Sequence, residues 1–256
     1  MSKHKERVDV LLVERGLAPS RVRAQALLMA GRVFAGPDRI DKPGTQIPRD
    51  SLLVVREDEN PFVSRGGLKL RGALAVFAGF GLDPRGAVAV DIGASTGGFT
   101  DCLLSLGASR VFAVDVGYGQ LHQRLRDDAR VVVRERENAR YLTETSFDVP
   151  IDLVVVDASF IRLGLLAPAL FAVTRPGGAL CAMVKPQFEA RRDVVDKGKG
   201  VVKDEGDRAV AVAQALDDIR RSGFVRLADV PSDLPGPKGN REHFVYARRP
   251  AGSPSA

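Results

Sequence analysis

Beyond residue 86 the hydrophobic positions fall into two alternating patterns. Short unbroken apolar runs at 87–90, 111–114, 131–133, 152–156 and 179–184 read as strands buried on both faces. Between and after them, 98–106, 120–126, 161–173 and 205–222 are helical; Phe99, Cys102, Leu103 and Leu106, for example, recur at helical spacing. Such alternation predicts a parallel sheet with helices on both sides, an α/β fold. Two last runs, 224–230 and 243–247, are joined by the turn-rich Pro235-Gly236-Pro237-Lys238-Gly239-Asn240. That connection favours an antiparallel hairpin and brings the strands to seven.

The first 58 residues are patterned differently. Val8, Leu11 and Leu12 mark a short helix ended at Gly16, and Ser20 is placed to cap a second, 21–30. Val22, Ala26 and Met29 form its expected inner stripe, with Arg21 and Gln25 outside. The β-like Val33-Phe34 and the strand Leu52–Val55 complete a small α+β module. The polar, acidic stretch from Arg56 to Pro61 suggests a linker. The expected division is a module at 1–58, a linker at 59–63, a large domain at 64–249 and a disordered tail at 250–256. The large domain opens with Ser64-Arg65-Gly66-Gly67 and a helix whose stripe is Leu70, Leu74 and Phe77, with Lys69 off that stripe.

Charge sharpens this division. Residues 1–49 hold ten Lys/Arg against five Asp/Glu, nearly all of the chain's net +6, so a polyanion is the expected partner of the module. No apolar run reaches the about 18 residues that cross a bilayer, and no signal peptide is recognisable, so a cytoplasmic protein is expected. Cys102 and Cys181 lie in apolar surroundings and are expected to be buried free thiols. His4, His122 and His243 stand apart from one another, and no metal site is expected.

Candidate chemistry gathers at the strand ends, where ligands of open α/β sheets bind. Asp91 closes the first strand and opens Gly93-Ala94-Ser95-Thr96-Gly97-Gly98-Phe99. The glycines are not spaced as a dinucleotide loop, and no lysine follows Gly98 as in a P-loop. Asp115 ends the second strand, where an acid can accept hydrogen bonds from two ribose hydroxyls. By the same geometry Asn138, after the third strand, borders an adenine. Asp157 and Lys185 end the fourth and fifth strands. A lysine closing a buried strand is ordinarily a snorkelling, structural one, and a desolvated lysine is also a candidate general base.

The loop resembles the S-adenosyl-L-methionine loop of methyltransferases, in particular the RrmJ/FtsJ-like RNA 2′-O group. Residues 7–56, with Arg-x-Asp-x-x-Leu-x-x-Arg-Gly-Leu-x-x-Ser-Arg and the later Ala30-Gly31-Arg32-Val33, resemble an S4-type RNA-binding domain. With Asp115-Val116-Gly117-Tyr118-Gly119, Val184-Lys185-Pro186-Gln187-Phe188-Glu189 and Gly236-Pro237-x-Gly239-Asn240-x-Glu242, the chain is similar to the TlyA family of rRNA cytidine 2′-O-methyltransferases, historically labelled hemolysins. The resemblance implies a Rossmann-like seven-stranded methyltransferase sheet, with S-adenosylmethionine held by residues 91, 93–99, 115, 138 and 157. It implies a catalytic tetrad of Lys69, Asp157, Lys185 and Glu242. It also implies RNA contacts at Arg7, Arg21, Arg23, Arg65 and Phe160, although Phe160 would be equally at home in a core. Ribosomal RNA or ribosomal subunits are the implied partners. The linker Asn60-Pro61-Phe62-Val63 lacks the Arg and Trp seen in some members, and the chain matches the shorter subtype, implying the large-subunit 23S RNA with 16S as the alternative. The rival functions are a non-enzymatic RNA-binding or assembly protein and a membrane-active hemolysin.

Overall fold

The structure is a computed structural model that describes residues 5–56, 60–236 and 238–252. Residues 1–4, with His4, residues 57–59 of the acidic stretch, Pro237 and the last four residues of the expected tail lie outside them. The chain divides into two units between Pro61 and Phe62.

In the first unit, β1 (Lys5–Arg7) pairs antiparallel with β4 (Gln46–Pro48), and β2 (Val33–Ala35) lies between β3 (Asp38–Ile40) and β5 (Leu53–Val55). Three of these strands, β1, β3 and β4, are three-residue segments with no apolar run to mark them, unlike β2 and β5. Helices α1 (Val8–Glu14) and α2 (Arg21–Met29) close a core built on Val8, Leu11, Leu12, Ala24 and Leu28. Ser20 Oγ accepts from Arg23 N at 3.3 Å, and Gly16 and Gly31 terminate the two helices at positive φ.

The inner face of α2 differs from expectation. Ala24 and Leu28 are buried, whereas Val22 and Met29 are 79% and 70% exposed. Asp9 decides the rotation. Fully buried on α1, it accepts hydrogen bonds from Gln25 Nε2 at 3.0 Å, Arg21 at 3.1 Å and both Arg7 nitrogens at 2.9 Å. A buried carboxylate must be paired, so α2 turns Arg21 and Gln25 toward it. The Arg7 hydrogen bonds, more than any other contact, hold the Asp9 carboxyl well below the usual range.

The second unit carries a seven-stranded sheet in the order β11-β12-β10-β9-β6-β7-β8. Its strands are β6 (Val88–Ile92), β7 (Arg110–Asp115), β8 (Val131–Glu135), β9 (Ile151–Val156), β10 (Thr174–Val184), β11 (Val225–Pro231) and β12 (His243–Arg248). Strands β6 to β10 run parallel, and β12 lies antiparallel between β10 and β11. Alternate residues feed two cores. Ala89, Val111, Val155, Cys181 and Phe244 meet α3 (Arg65–Phe77) and α4 (Gly98–Ser105). Val90, Phe112, Val154, Ala182 and Val245 meet α6 (Leu163–Val173) and α9 (Glu205–Arg221) on the other face. Helix α5 (Gln123–Arg126) precedes β8.

Two segments are more ordered than their composition predicts. Strand β10 begins at Thr174, and the Arg175-Pro176-Gly177-Gly178 turn is absorbed as a register shift before Ala179. The Lys- and Gly-rich stretch that follows forms α7 (Pro186–Glu189) and α8 (Arg192–Lys197). Phe62 packs against Gly67, and Val63 N donates to Asp101 Oδ2 at 2.8 Å, so both residues are held by the second unit. Cys102 and Cys181 are buried and free; burial pushes the Cys102 thiol up to about 12 and Cys181 higher still. Among the described residues no helix is long and apolar enough to cross a membrane.

Candidate functional site

The polypeptide leaves β6 through a loop that only small residues can follow. Gly93 has φ +81°, Ser95 +48° and Gly97 +98°, and a Cβ on Gly93 would lie 2.9 Å from the Asp157 carbonyl oxygen. Asp91 sits beneath this loop. Its Oδ2 accepts from Thr100 N at 2.9 Å and Thr100 Oγ1 at 2.7 Å, tying β6 to α4, while Oδ1 has no partner. Complete burial pushes its carboxyl up to about 7, against the Thr100 hydrogen bond and with a smaller upward push from Asp157.

Asp115 ends β7 and accepts from Ser95 N at 2.8 Å and Gly117 N at 2.7 Å. It thereby braces the glycine loop from the neighbouring strand. Asn138 is exposed and accepts from Arg140 N at 3.0 Å.

In front of the loop is a cavity of about 520 Å³. Gly93 to Thr96, Gly98 and Phe99 form one wall; Lys69, Asp157, Lys185 and Glu242, from four distant segments, form another. Asp91, Gly97, Asp115 and Asn138 are outside that lining. Gly97 instead packs on Leu121 and Leu125.

Lys69 is buried on α3 and forms an ion pair with Glu242, which directly precedes β12 and is 3% exposed. Lys185 Nζ lies 2.6 Å from Asp157 Oδ1 and donates to Asp157 O at 3.2 Å and Ser159 Oγ at 2.7 Å. Burial raises the Asp157 carboxyl, although the Lys185 ammonium opposes the shift; Glu242 pushes it up and Lys69 pulls it down. The four charges therefore act on one another across one wall of the cavity.

Phe160 is 91% exposed at the cavity, so the alternative of a core phenylalanine does not hold. Its φ is +64°, a genuine outlier for a bulky residue, and its ring centroid is 5.2 Å from that of Phe188. Arg65 is exposed and lines the same cavity. In the first unit Arg7 and Arg21 engage Asp9 while remaining 41% and 56% exposed, and Arg23 is exposed.

Sequence reasoning missed Ser64, Ser159, Gln187, Phe188 and Asn240 as parts of this wall. Asn240 was the most findable, because an asparagine in a Gly-rich turn two residues before an acid is a good candidate for a fixed loop. It is buried and staples two loops, with Oδ1 accepting from Val202 N at 3.0 Å and Nδ2 donating to Gly200 O at 2.9 Å. Among the described residues no group of three or more His, Cys, Asp or Glu is placed to hold a metal ion.

A seven-stranded sheet with one antiparallel strand and a glycine loop after the inner strand β6 defines a Rossmann-like methyltransferase fold. An S-adenosylmethionine-dependent methyltransferase from Listeria monocytogenes shares it at TM-score 0.51 and 14% identity, over 70% of this chain and 99% of that one. More particularly, residues 62–249 match the FtsJ-like methyltransferase family and residues 6–52 the S4 domain, and the chain belongs to that methyltransferase family. It is 45% identical to the 16S/23S rRNA (cytidine-2′-O)-methyltransferase TlyA of Mycobacterium tuberculosis, over 94% of this chain and 89% of the relative. A solved protein from Streptococcus thermophilus, described as a hemolysin, is 39% identical with TM-score 0.74, covering 99% of this chain and 91% of its own.

Proposed function

We propose that the protein methylates a cytidine ribose 2′-hydroxyl in ribosomal RNA, the 23S RNA before the 16S RNA, with S-adenosylmethionine as donor. The observation that carries this reading is the convergence of Lys69, Asp157, Lys185 and Glu242 in one cavity between the glycine loop and the exposed Phe160. The loop suits the donor, since Gly93 leaves its backbone bare where a side chain would meet Asp157 O, and Asp115 stands at the adjoining strand end. When bound, S-adenosylmethionine supplies an electrophilic sulfonium methyl group.

The chain's own residues then position the hydroxyl and take its proton. Lys185 Nζ, held 2.6 Å from Asp157 Oδ1 and donating to Ser159 Oγ at 2.7 Å, is the base and acts in its uncharged amine form. The Lys185 amine would take the proton of the 2′-hydroxyl as that oxygen accepts the methyl group. Lys69, fixed by Glu242, donates a hydrogen bond that orients the hydroxyl. Phe160 offers a face for the target base once that nucleotide is turned out of the RNA fold. The S4 domain docks the RNA through phosphate contacts that include Arg7, Arg21 and Arg23, with Arg65 contributing at the cavity. An rRNA substrate sets the site of action in the cytoplasm.

The test is transfer of labelled methyl from S-adenosylmethionine to unmodified ribosomal subunits, with the position mapped. Incorporation on a cytidine ribose, lost in Lys185→Ala, is expected. Transfer to neither subunit overturns the reading, and incorporation on a base overturns the role of the four residues.

A further inference from the structure

The segment 157–163 is fastened at both ends by a single neighbouring stretch. At its start, Lys185 reaches Asp157 and Ser159. At its end, Glu189 Oε1 accepts from Leu163 N at 2.7 Å, and Oε2 lies 3.7 Å from Arg162 Nε. Between these fastenings Phe160 holds its left-handed backbone against Phe188. A bulky residue keeps such a conformation only where its surroundings impose it.

Glu189 is 7% exposed and is not part of the cavity wall. Helix α6 begins at Leu163 with no cap from its own flanking side chain. The missing cap is supplied from α7, by a carboxylate at a helix start, where negative charge is favoured. Glu189 therefore fixes the point at which the chain stops being a loop and becomes a helix, three residues after Phe160.

We propose that Glu189 is a positioning residue for the target nucleotide: by capping α6 and holding Arg162, it keeps the 158–162 loop in the one conformation that presents the Phe160 ring over the cavity. This rests on the RNA reading above and deepens it. Phe160 touches the base; Glu189 acts through Phe160 alone. Its loss accordingly weakens capture of RNA while leaving donor binding and proton removal in place.

The decisive experiment is a double-variant cycle on the full chain, with methyl transfer to ribosomal subunits resolved into KM and kcat and with S-adenosylmethionine affinity measured alongside. Glu189→Ala is expected to raise the RNA KM about tenfold, the scale of a lost charge-assisted hydrogen bond, with kcat and donor affinity little changed. Glu189→Gln, whose amide oxygen still accepts from Leu163 N, should stay within about threefold of wild type. In a Phe160→Ala background, Glu189→Ala should add less than about a twofold effect, since the two act as a unit. Effects that multiply instead overturn the proposal, as does a kcat loss with KM unchanged.

A second readout is independent of activity. The chain has no tryptophan, so Phe160→Trp introduces a single reporter. Its fluorescence anisotropy should fall when Glu189→Ala is added and hold when Glu189→Gln is added; no change with Glu189→Ala refutes the positioning role. If Glu189→Ala does not fold, Glu189→Asp, one methylene too short to reach Leu163 N, takes its place with the same expectations. Absence of transfer by the unmodified protein would instead refute the RNA reading, while the anisotropy result would stand.

Discussion

The Lys69–Glu242 pair separates stability from chemistry, because both side chains are nearly out of water, at 9% and 3% exposure. Lys69→Met keeps the bulk of the stem and deletes the charge, leaving the Glu242 carboxylate desolvated and without its partner. Breaking such a pair on one side costs about 3–5 kcal/mol, because the surviving charge has lost both water and counter-ion. In a unit of this size each kcal/mol lowers the melting temperature by about 2–4 °C, so the single variant should melt about 6–20 °C below wild type. The double variant Lys69→Met/Glu242→Leu removes both charges, and its melting temperature should return to within a few degrees of wild type or exceed it. Both variants should be deficient in methyl transfer, so activity does not follow the rescue of stability. The assay is thermal unfolding by circular dichroism beside the methyl-transfer measurement. A single variant that melts with wild type would show that the pair is not desolvated. A double variant as unstable as the single one would show that the cost lies in packing and not in the orphaned charge.

Three further outcomes follow from other parts of the structure. Gly93→Ala forces a side chain onto a left-handed backbone at about 1–2 kcal/mol and drives Cβ to 2.9 Å from the Asp157 carbonyl; calorimetry should show S-adenosylmethionine binding weakened at least about tenfold, and unchanged affinity would refute the fit of the loop. Asp91 holds its proton to about pH 7 when folded against an ordinary 3.8, so the folded state binds the extra proton between these values and stability falls as pH rises through that window. By that shift the wild type loses up to about 4 kcal/mol relative to Asp91→Asn between pH 4 and 7; denaturant unfolding curves whose difference is flat with pH would refute this. Arg23→Gln should lower the slope of log affinity for RNA against log salt by about 0.7–0.9, the signature of one lost phosphate contact, in filter-binding titrations; an unchanged slope removes Arg23 from the interface.

The parallel sheet was legible because its strands are buried on both faces and so appear as unbroken apolar runs, as in Val154-Val155-Val156. At the far edge the antiparallel β11–β12 hairpin was legible from its turn-rich connection, whereas the insertion of β12 between β10 and β11 left no mark in composition. The rotation of α2 was misread because Val22, Ala26 and Met29 make as good a helical stripe as Ala24 and Leu28. What decides between them is a polar residue on another helix, Asp9, whose need for partners outweighs two exposed apolar side chains. At the site, acids and lysines at strand ends announced themselves, since a charge closing an apolar run is expensive unless used. Lys69 was off its helix's apolar stripe for a reason visible only in three dimensions, its partner lying 173 positions away. The strain at Phe160 has no sequence signal, because a phenylalanine with positive φ is written with the same letter as any other.

Strand β12 lies between β10 and β11 instead of at an edge, and this placement governs the order of events during synthesis. The ribosome releases β6 to β10 and α3 well before the segment that must enter the sheet beside β10. Until that insertion occurs, Met183 and Val184 lack their partners Phe244 and His243, and Lys69 lacks its carboxylate. The residues of the glycine loop and of the Lys185–Asp157 pair thus all emerge before the segment that carries Glu242. The Lys69–Glu242 contact belongs to the slowest kind to close, spanning 173 positions of the polypeptide.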